Sequence, residues 1–175
     1  MDVQAPPPNY FIRTFCKADL PACVQLYREG LLGGKIAEND TGLDIDDIES
    51  AYLHVPGSHF WVAQLEGDSG EIIGMVGVQH HEESVGEIRR LRVRQDQRRR
   101  GVGSTLLETA LQFCQQQGYL KIHLDTFMER EPAVKLFEKF NFRHSRTRCA
   151  GEKEVLHFYL DLYQRDGVGE TASAY

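Results

Sequence analysis

Apolar and polar residues alternate along much of this chain, which predicts several strands separated by a few amphipathic helices. Apolar residues spaced by three and four positions predict helices that begin near Leu20, at Val102 and at Pro132. A thinner apolar stripe, preceded by aspartates, indicates a further helical piece over 45–54. Period-two alternation predicts strands over 10–15, 60–65, 71–79, 87–94, 120–126 and 155–162.

The order of these elements predicts an α/β (mixed α+β) fold with one sheet. Short connections, among them an expected loop over 80–86, join the strands of the first half into an antiparallel meander. The helix from Val102 lies between two strands within about 35 residues, which is typical of a right-handed parallel crossover. The result is a mixed sheet of about seven strands with about four flanking helices. We expect an extended lead over 1–9, a single domain over 10–162 and a flexible tail over 163–175.

A turn rich in arginine and glycine separates the strand over 87–94 from the helix that begins at Val102. Two glycines one residue apart let the backbone approach a phosphate closely, and the first amides of the helix point N–H groups at it. The arginines supply forked, charged donors that suit a pyrophosphate. The alternative is a basic turn before an ordinary surface helix. The residues of this predicted anion site are Arg98, Arg99, Arg100, Gly101, Val102, Gly103 and Ser104.

Composition limits the class of ligand expected at this site and the compartment expected for the protein. The net charge of −6 argues against general binding to nucleic acid, so the local arginine cluster indicates a small anionic ligand. The four cysteines have no C-x-x-C spacing and no histidine partners at metal-ligand intervals, which predicts reduced thiols and no metal site. Neither a long apolar run nor a signal peptide is present, so we expect a cytoplasmic or nucleocytoplasmic protein.

Two segments resemble motifs of the GNAT superfamily of N-acetyltransferases. The spacing Arg98-x-x-Gly101-x-Gly103 resembles its acetyl-CoA signature, Q/R-x-x-G-x-G/A, and lies between a strand and a helix as in that family. The segment 133–142 resembles the later motif A-x-x-L-Y-E-K-x-G-F, although any amphipathic helix packed on a sheet has similar spacing. The motifs and the strand order agree over 10–162. Residues 112–126 are also similar to the camello-like branch.

The resemblance implies a cleft for acetyl-CoA where the fourth strand diverges from the fifth. The peptide groups of Leu91 and Val93 would hold the pantetheine arm, and residues 98–104 would hold the pyrophosphate. Phe137 would line the cofactor site at the position where the family often has a tyrosine that protonates the departing thiolate. Lys139 would reach another phosphate, with a solvated lysine as the alternative. No metal cofactor is implied.

Glu87 is the candidate general base. It lies four residues before Leu91 and so on the same strand face, at the position of the glutamate base in the histone-modifying branch. The alternative is a surface carboxylate paired with Arg89. A further alternative is that water alone relays the proton of the amine, since an amine attacks a thioester readily. The reserve candidates are His80, His81, Glu83, His123 and His157.

The resemblance implies an N-acetyltransferase that moves the acetyl group of acetyl-CoA to a primary amine of a small molecule or peptide by direct attack. The alternative is a non-catalytic acyl-CoA-binding or regulatory module, because Phe137 stands where the family often has the acidic tyrosine. A nucleic-acid-binding protein is disfavoured by the acidic total charge, and no membrane span is expected. A homodimer is compatible with the sequence. We expect the acceptor pocket to be shaped by 31–55, the loop after Gln79 and 146–154.

Overall fold

The computed structural model of the protein describes residues 9–31 and 40–163. Its helices are α1 (Leu20–Glu29), α2 (Leu43–Asp46), α3 (Val102–Gln116) and α4 (Glu131–Lys139). Its strands are β1 (Tyr10–Thr14), β2 (His59–Leu65), β3 (Ile72–Glu82), β4 (Val85–Val93), β5 (Lys121–Phe127), β6 (Arg143–Ala150) and β7 (Lys153–Asp161). The predicted lead and tail fall, apart from Asn9 and Tyr163, on residues outside the described part.

The strands form one mixed sheet in the order β1-β2-β3-β4-β5-β7-β6. The first four strands are an antiparallel meander, and α3 carries the chain across to β5, which runs parallel to β4. The predicted fold class is therefore confirmed. β4 and β5 pair only from Val85–Lys121 to Glu87–His123, and beyond that point they diverge. This divergence is the expected splay between the fourth and fifth strands.

Helices cover both faces of the sheet. On one face α3 buries its apolar stripe completely, with Leu106, Leu107, Ala110 and Cys114 all at 0% exposure. Burying each leucine contributes about 2 kcal/mol of transfer free energy. On the other face α1 and α2 enclose a second cluster around Tyr52 and Phe60. None of the helices in the described ranges is long and apolar enough to cross a membrane.

The structure differs in detail from the sequence prediction at three places. The expected loop over 80–86 is a tight hairpin, in which Ser84 takes a left-handed backbone (φ 62°) between β3 and β4. The helical piece over 45–54 consists of the short α2 and a π-helical turn over Glu49–Leu53. The strand β6 was not predicted, because an edge strand whose residues are nearly all exposed has no apolar alternation.

Candidate active site

The divergence of β4 and β5 opens a cavity of about 300 Å³. Its long walls are residues 87–92 of β4 and 124–127 of β5, and Arg130, Ala133 and Phe137 close one side from α4. Leu31 and Asp40, which flank the part of the chain left undescribed, also line it. These parts of the two strands lie at and beyond their last paired position, so the cleft opens where the parallel β4–β5 ladder stops.

The β4 edge facing this cleft carries backbone groups that β5 does not pair. A bulge opposite Val76 interrupts the β3–β4 ladder, and Arg90 there has a left-handed backbone (φ 58°). The carbonyl oxygen of Leu91 accepts a hydrogen bond from Arg92 Nη1 at 2.8 Å, and that of Val93 accepts one from Arg98 Nε at 3.2 Å. Arginine side chains therefore hydrogen-bond to the carbonyl groups of Leu91 and Val93, the two residues predicted to contact the pantetheine arm.

The predicted anion turn lies at the start of α3. Gly101 is the N-cap, with φ 81°, and its carbonyl accepts the amide of Thr105 at 3.0 Å. The amides of residues 102–104 precede this first intrahelical bond and have no partner within the helix. Arg98, Arg99 and Arg100 are exposed and form no ion pair with any residue that the structure describes. The turn thus combines features expected of an anion site: exposed guanidinium groups, backbone amides with no partner within the helix, and a glycine at the N-cap.

The two glycines of the turn have different roles. A Cβ on Gly101 would meet only the Tyr10 hydroxyl at 4.0 Å, so the positive φ alone favours glycine there. A Cβ on Gly103 would lie 3.3 Å from Leu136 Cδ2 and 3.7 Å from Val93 Cγ2. Gly103 therefore lets α4 and β4 pack closely on the first turn of α3, in addition to exposing its amide.

Glu87 lies on the cavity wall, at the last residue of β4 that pairs with β5. Burial raises the pKa of its carboxyl, and the nearby charges of Arg89 and His81 oppose that shift. Arg89 does not form the ion pair considered from the sequence, because its Nη1 donates to Gln79 Oε1 at 2.9 Å. The Glu87 carboxylate is therefore available to a ligand in the cleft.

Phe137 and Lys139 occupy opposite environments on α4. Phe137 is 4% exposed, packs against Phe142 and Phe158 with ring centroids 5.8 and 6.2 Å away, and presents an apolar edge to the cavity. Lys139 is exposed at the C-terminal end of the helix and does not line the cavity. The structure thus brings Glu87, Leu91 and Phe137 to one cleft but does not bring Lys139 there.

Two arginines that line the cleft, Arg90 and Arg92, were not among the site residues predicted from the sequence. Arg90 donates to Asp40 and Asp44, with 2.8 Å from Nη2 to Asp40 Oδ1 and 2.8 Å from Nε to Asp44 Oδ2. Arg92 has no such partner in the described ranges: its buried Nε makes no hydrogen bond. Burial, together with the charges of Arg130 and Arg90, lowers the pKa of Arg92 to about 9.

Two further buried polar groups surround Arg92. The hydroxyl of Tyr27 is buried without a hydrogen-bond partner among the described residues. Arg130, whose pKa is also lowered by burial, donates to the carbonyl oxygen of Gly30 and lies over the ring of Phe127. Only the packing of α1 over β4 shows that Arg92 is enclosed.

The reserve base candidates divide into two groups. None of the five is among the residues that line the cavity. His80 Nδ1 lies 3.1 Å from the hydroxyl of Tyr119, and Glu83 is exposed at the β3–β4 turn. His81 of β3, His123 of β5 and His157 of β7 form a cluster, with ring centroids 4.4 Å apart for His81–His123 and 5.4 Å apart for His123–His157. Burial and the two neighbouring histidines lower the pKa of His123 to about 4, so its ring is neutral at physiological pH.

Curated relatives of this chain are acetyltransferases. It is 38% identical over 102 residues to N-acetylaspartate synthetase of Xenopus tropicalis, a match that covers 58% of this chain and 36% of that protein. It is 31% identical over 121 residues to a probable N-acetyltransferase camello of the same species, covering 68% and 53%. Human N-acetyltransferase 8 is 34% identical over 105 residues, covering 57% and 45%. The chain thus spans between about a third and about half of the length of these relatives.

Solved structures share the whole fold. An acetyltransferase of the GNAT family from Staphylococcus aureus superposes with a TM-score of 0.76 at 17% identity, over 88% of this chain and 99% of that one. An acetyltransferase of Salmonella typhimurium, solved with its cofactor acetyl-CoA, gives 0.72 at 17% identity, over 95% and 98%. The model of the acetyltransferase (GNAT) family matches residues 21–142, which include both motifs and the walls of the cleft. The chain therefore belongs to the GNAT family of acetyltransferases.

Proposed function

We propose that this protein transfers the acetyl group of acetyl-CoA to the primary amine of a small molecule that also carries a carboxylate. The observation that carries the proposal is the cleft between β4 and β5, which has the half-buried carboxylate of Glu87 on its wall; the predicted anion turn follows β4 at the start of α3. The names of the relatives support acetyl transfer, and one solved relative holds acetyl-CoA.

The cofactor side of the cleft would use the predicted residues. The amides of residues 102–104 and the exposed guanidinium groups of Arg98, Arg99 and Arg100 would hold the pyrophosphate. The open edge of β4 at Leu91 and Val93 would pair with the pantetheine amides in place of the side chains that now bond there. Phe137 would pack against the arm with its apolar edge. Bound acetyl-CoA supplies the activated acetyl group.

The reaction itself needs a neutral amine, a polarised carbonyl and a leaving thiolate. Glu87 would accept the proton of the attacking amine, directly or through one water, as the new C–N bond forms. A backbone amide of β4 would polarise the acetyl oxygen. The C–S bond then breaks, and water protonates the thiolate, because Phe137 has no hydroxyl to donate. Each proton and bond is thus accounted for without a side-chain acid.

The acceptor class follows from the buried cations. Arg92 and Arg130 line the cavity, and neither meets a carboxylate in the part of the chain that the structure describes. Burying an unpaired charge costs several kcal/mol, so a bound anion would stabilise this arrangement. A guanidinium group binds a carboxylate in a forked geometry, and the Tyr27 hydroxyl offers one more donor nearby. A relative named for N-acetylaspartate, which carries carboxylates, agrees with this inference.

A matched pair of acceptors tests the proposal. Free thiol released from acetyl-CoA is measured with amino acids, aspartate first, and with the amines that lack their α-carboxylate. We expect turnover with the amino acids and at least a tenfold lower kcat/KM with the decarboxylated amines, since a charged hydrogen bond contributes about 1.5–3 kcal/mol. Equal rates for both sets would overturn the carboxylate assignment, and turnover with peptide amines alone would move the acceptor to that class.

A non-catalytic acyl-CoA-binding module is the second candidate function. The observation that favours it is the apolar wall at Phe137, where a thiolate would find no donor. Such a module would bind acetyl-CoA with the same residues but release no thiol in the presence of any amine. Calorimetric binding together with an absence of turnover would identify it.

Location and assembly remain predictions. A cytoplasmic setting agrees with the cysteines, which are all free, two of them exposed (Cys16 and Cys149). The single-domain organisation over 10–162 is tested by thermal unfolding of the purified chain, for which we expect one cooperative transition. The homodimer is tested by sedimentation, in which a mass of two chains would support it and a mass of one chain would contradict it.

A further inference from the structure

Three side chains with metal-ligating atoms meet where β4 and β5 begin to diverge. They are His81 of β3, Glu87 of β4 and His123 of β5, and one ligand atom of each lies within 4.8 Å of the others. His81 Nδ1 is 3.9 Å from Glu87 Oε2, and the two imidazole rings are 4.4 Å apart. Glu87 and His123 are register partners in the parallel ladder, so their positions are fixed by the sheet.

The chemistry of the set matches one class of cation. Two imidazoles and one carboxylate are the ligands of open zinc sites, which leave a fourth position for water or substrate. Imidazole nitrogen also favours the transition metals over Mg²⁺ and Ca²⁺, which prefer oxygen ligands. None of the three residues is held by an ion pair closer than the 3.9 Å between His81 and Glu87 in the described ranges.

A second observation points to a missing ligand. The Nε2 atom of His123 is buried and has no hydrogen-bond partner among the described residues. Leaving a buried polar atom unsatisfied costs about 1–3 kcal/mol. The neighbouring rings of His81 and His157 do not hydrogen-bond to His123. A bound cation would give the buried Nε2 atom of His123 the partner that it lacks.

The site can close without moving the backbone. Zinc bonds of about 2.1 Å place tetrahedral ligand atoms about 3.4 Å apart, so separations that now reach up to 4.8 Å have to shorten by as much as about 1.4 Å. His81 can supply that movement, because its side chain is 49% exposed and lies near the end of β3. Glu87 contributes a carboxylate with rotatable side-chain bonds. The sheet thus provides one fixed ligand and two adjustable ones.

We propose that His81, Glu87 and His123 bind one divalent ion of the Zn²⁺ class, and that the bound ion inhibits acetyl transfer. Binding of the ion stands on the geometry alone, whereas inhibition rests on the proposed function. A carboxylate whose lone pair coordinates a cation cannot accept the proton of an amine, so occupancy removes the general base. The ion acts as a reversible inhibitor rather than as a cofactor.

Binding is measured without reference to activity. Metal-free protein is titrated with Zn²⁺ by calorimetry and with Co²⁺ by visible absorption, which reports four-coordinate geometry. We expect one ion per chain in the wild type, and at least about tenfold weaker binding in His81→Ala and His123→Gln. His81→Ala is the primary variant, since His81 is exposed and its loss leaves the core intact. His54→Ala, an exposed histidine outside the set, is the matched control and should bind like the wild type.

Inhibition is measured as the ratio of each protein's rate with Zn²⁺ to its own metal-free rate. We expect Zn²⁺ to lower the rate of the wild type and of His54→Ala, a chelator to restore it, and His81→Ala to need at least about tenfold more Zn²⁺. Binding that is absent, or that is equal in His81→Ala and wild type, overturns the site. Binding with an unchanged or increased rate overturns the inhibitory role. Absence of turnover in metal-free protein contradicts the proposed function, while the titrations still decide the site.

Discussion

Glu87 and His123 lie side by side at the last paired position of β4 and β5, immediately before the two strands separate. Glu87 therefore lies at the boundary between the paired part of the two strands and the cleft. Its backbone belongs to a parallel ladder, and its side chain lines the cavity next to residues whose edge is unpaired. The sheet fixes the backbone of Glu87, and its carboxylate is accessible to a ligand, as a general base requires.

Replacing Glu87 with Gln should lower kcat by about a hundredfold or more, because the amide cannot accept the proton of the attacking amine. The affinity for acetyl-CoA should stay unchanged, since the predicted cofactor contacts come from other residues. Rates are measured by release of free thiol, and affinity by calorimetry. Glu83→Gln, at the exposed β3–β4 turn, is the matched control and should retain the wild-type rate. Equal rates in the two variants would remove Glu87 from the mechanism.

The Arg98→Ala substitution should weaken acetyl-CoA binding by about tenfold, the loss expected for one charge-assisted hydrogen bond. The affected anion would be the pyrophosphate, so dephosphorylated pantetheine thioesters should bind both proteins equally. Arg146→Ala, on the exposed edge strand β6, controls for the loss of one surface charge. Undiminished binding in Arg98→Ala would contradict the assignment of the turn. Gly103→Val is a poorer test, since Leu136 already lies close to that position.

Replacing Arg92 with Met should raise KM for a carboxylate-bearing acceptor by at least tenfold while the affinity for acetyl-CoA stays nearly constant. The same change should not lower the midpoint of thermal unfolding. Removing an unpaired buried charge in favour of an apolar chain of similar length is neutral or stabilising. Arg90→Met is the contrasting variant, because it strands the carboxylates of Asp40 and Asp44 and should destabilise the protein. A loss of stability in Arg92→Met equal to that in Arg90→Met would mean that Arg92 is structural.

Stability should depend on pH through the same Asp44–Arg90 contact. Burial by itself would raise the pKa of Asp44, but the hydrogen bonds and the charge of Arg90, together with the hydrogen bond from Tyr52, lower it in the folded state. A lowered folded pKa stabilises the fold above the unfolded pKa of about 3.9, and this contribution disappears as the pH falls below it. The difference in unfolding midpoint between wild type and Asp44→Asn should therefore be largest near neutral pH and shrink below about pH 4. A constant difference across that range would contradict the linkage.

The sequence predicted those parts of the molecule that repeat a local pattern. The helix α3 and its glycine-capped turn follow from spacing, and the buried side chains of Leu106, Leu107 and Cys114 agree with it. Residues that depend on tertiary contacts were missed. Arg92 was not among the predicted site residues, because its surroundings depend on α1, which packs against β4. The set of His81, Glu87 and His123 has no ligand spacing along the chain, because three separate strands bring its members together.

Replacing Phe137 with Tyr tests whether the missing acid limits turnover. Phe137 is buried in an aromatic cluster but lines the cavity, so a new hydroxyl can be accommodated toward the cleft. General acid catalysis contributes about a hundredfold where leaving-group departure is slow, yet the thiol of coenzyme A leaves readily on its own. We therefore expect Phe137→Tyr to raise kcat for a true acceptor by less than that factor and to leave acetyl-CoA affinity nearly unchanged. Phe142→Tyr, which adds a hydroxyl to the same cluster away from this cavity, should change neither kcat nor acetyl-CoA affinity. If wild type and Phe137→Tyr both bind acetyl-CoA but acetylate no amine in a broad screen, the protein is a binding module and not an enzyme.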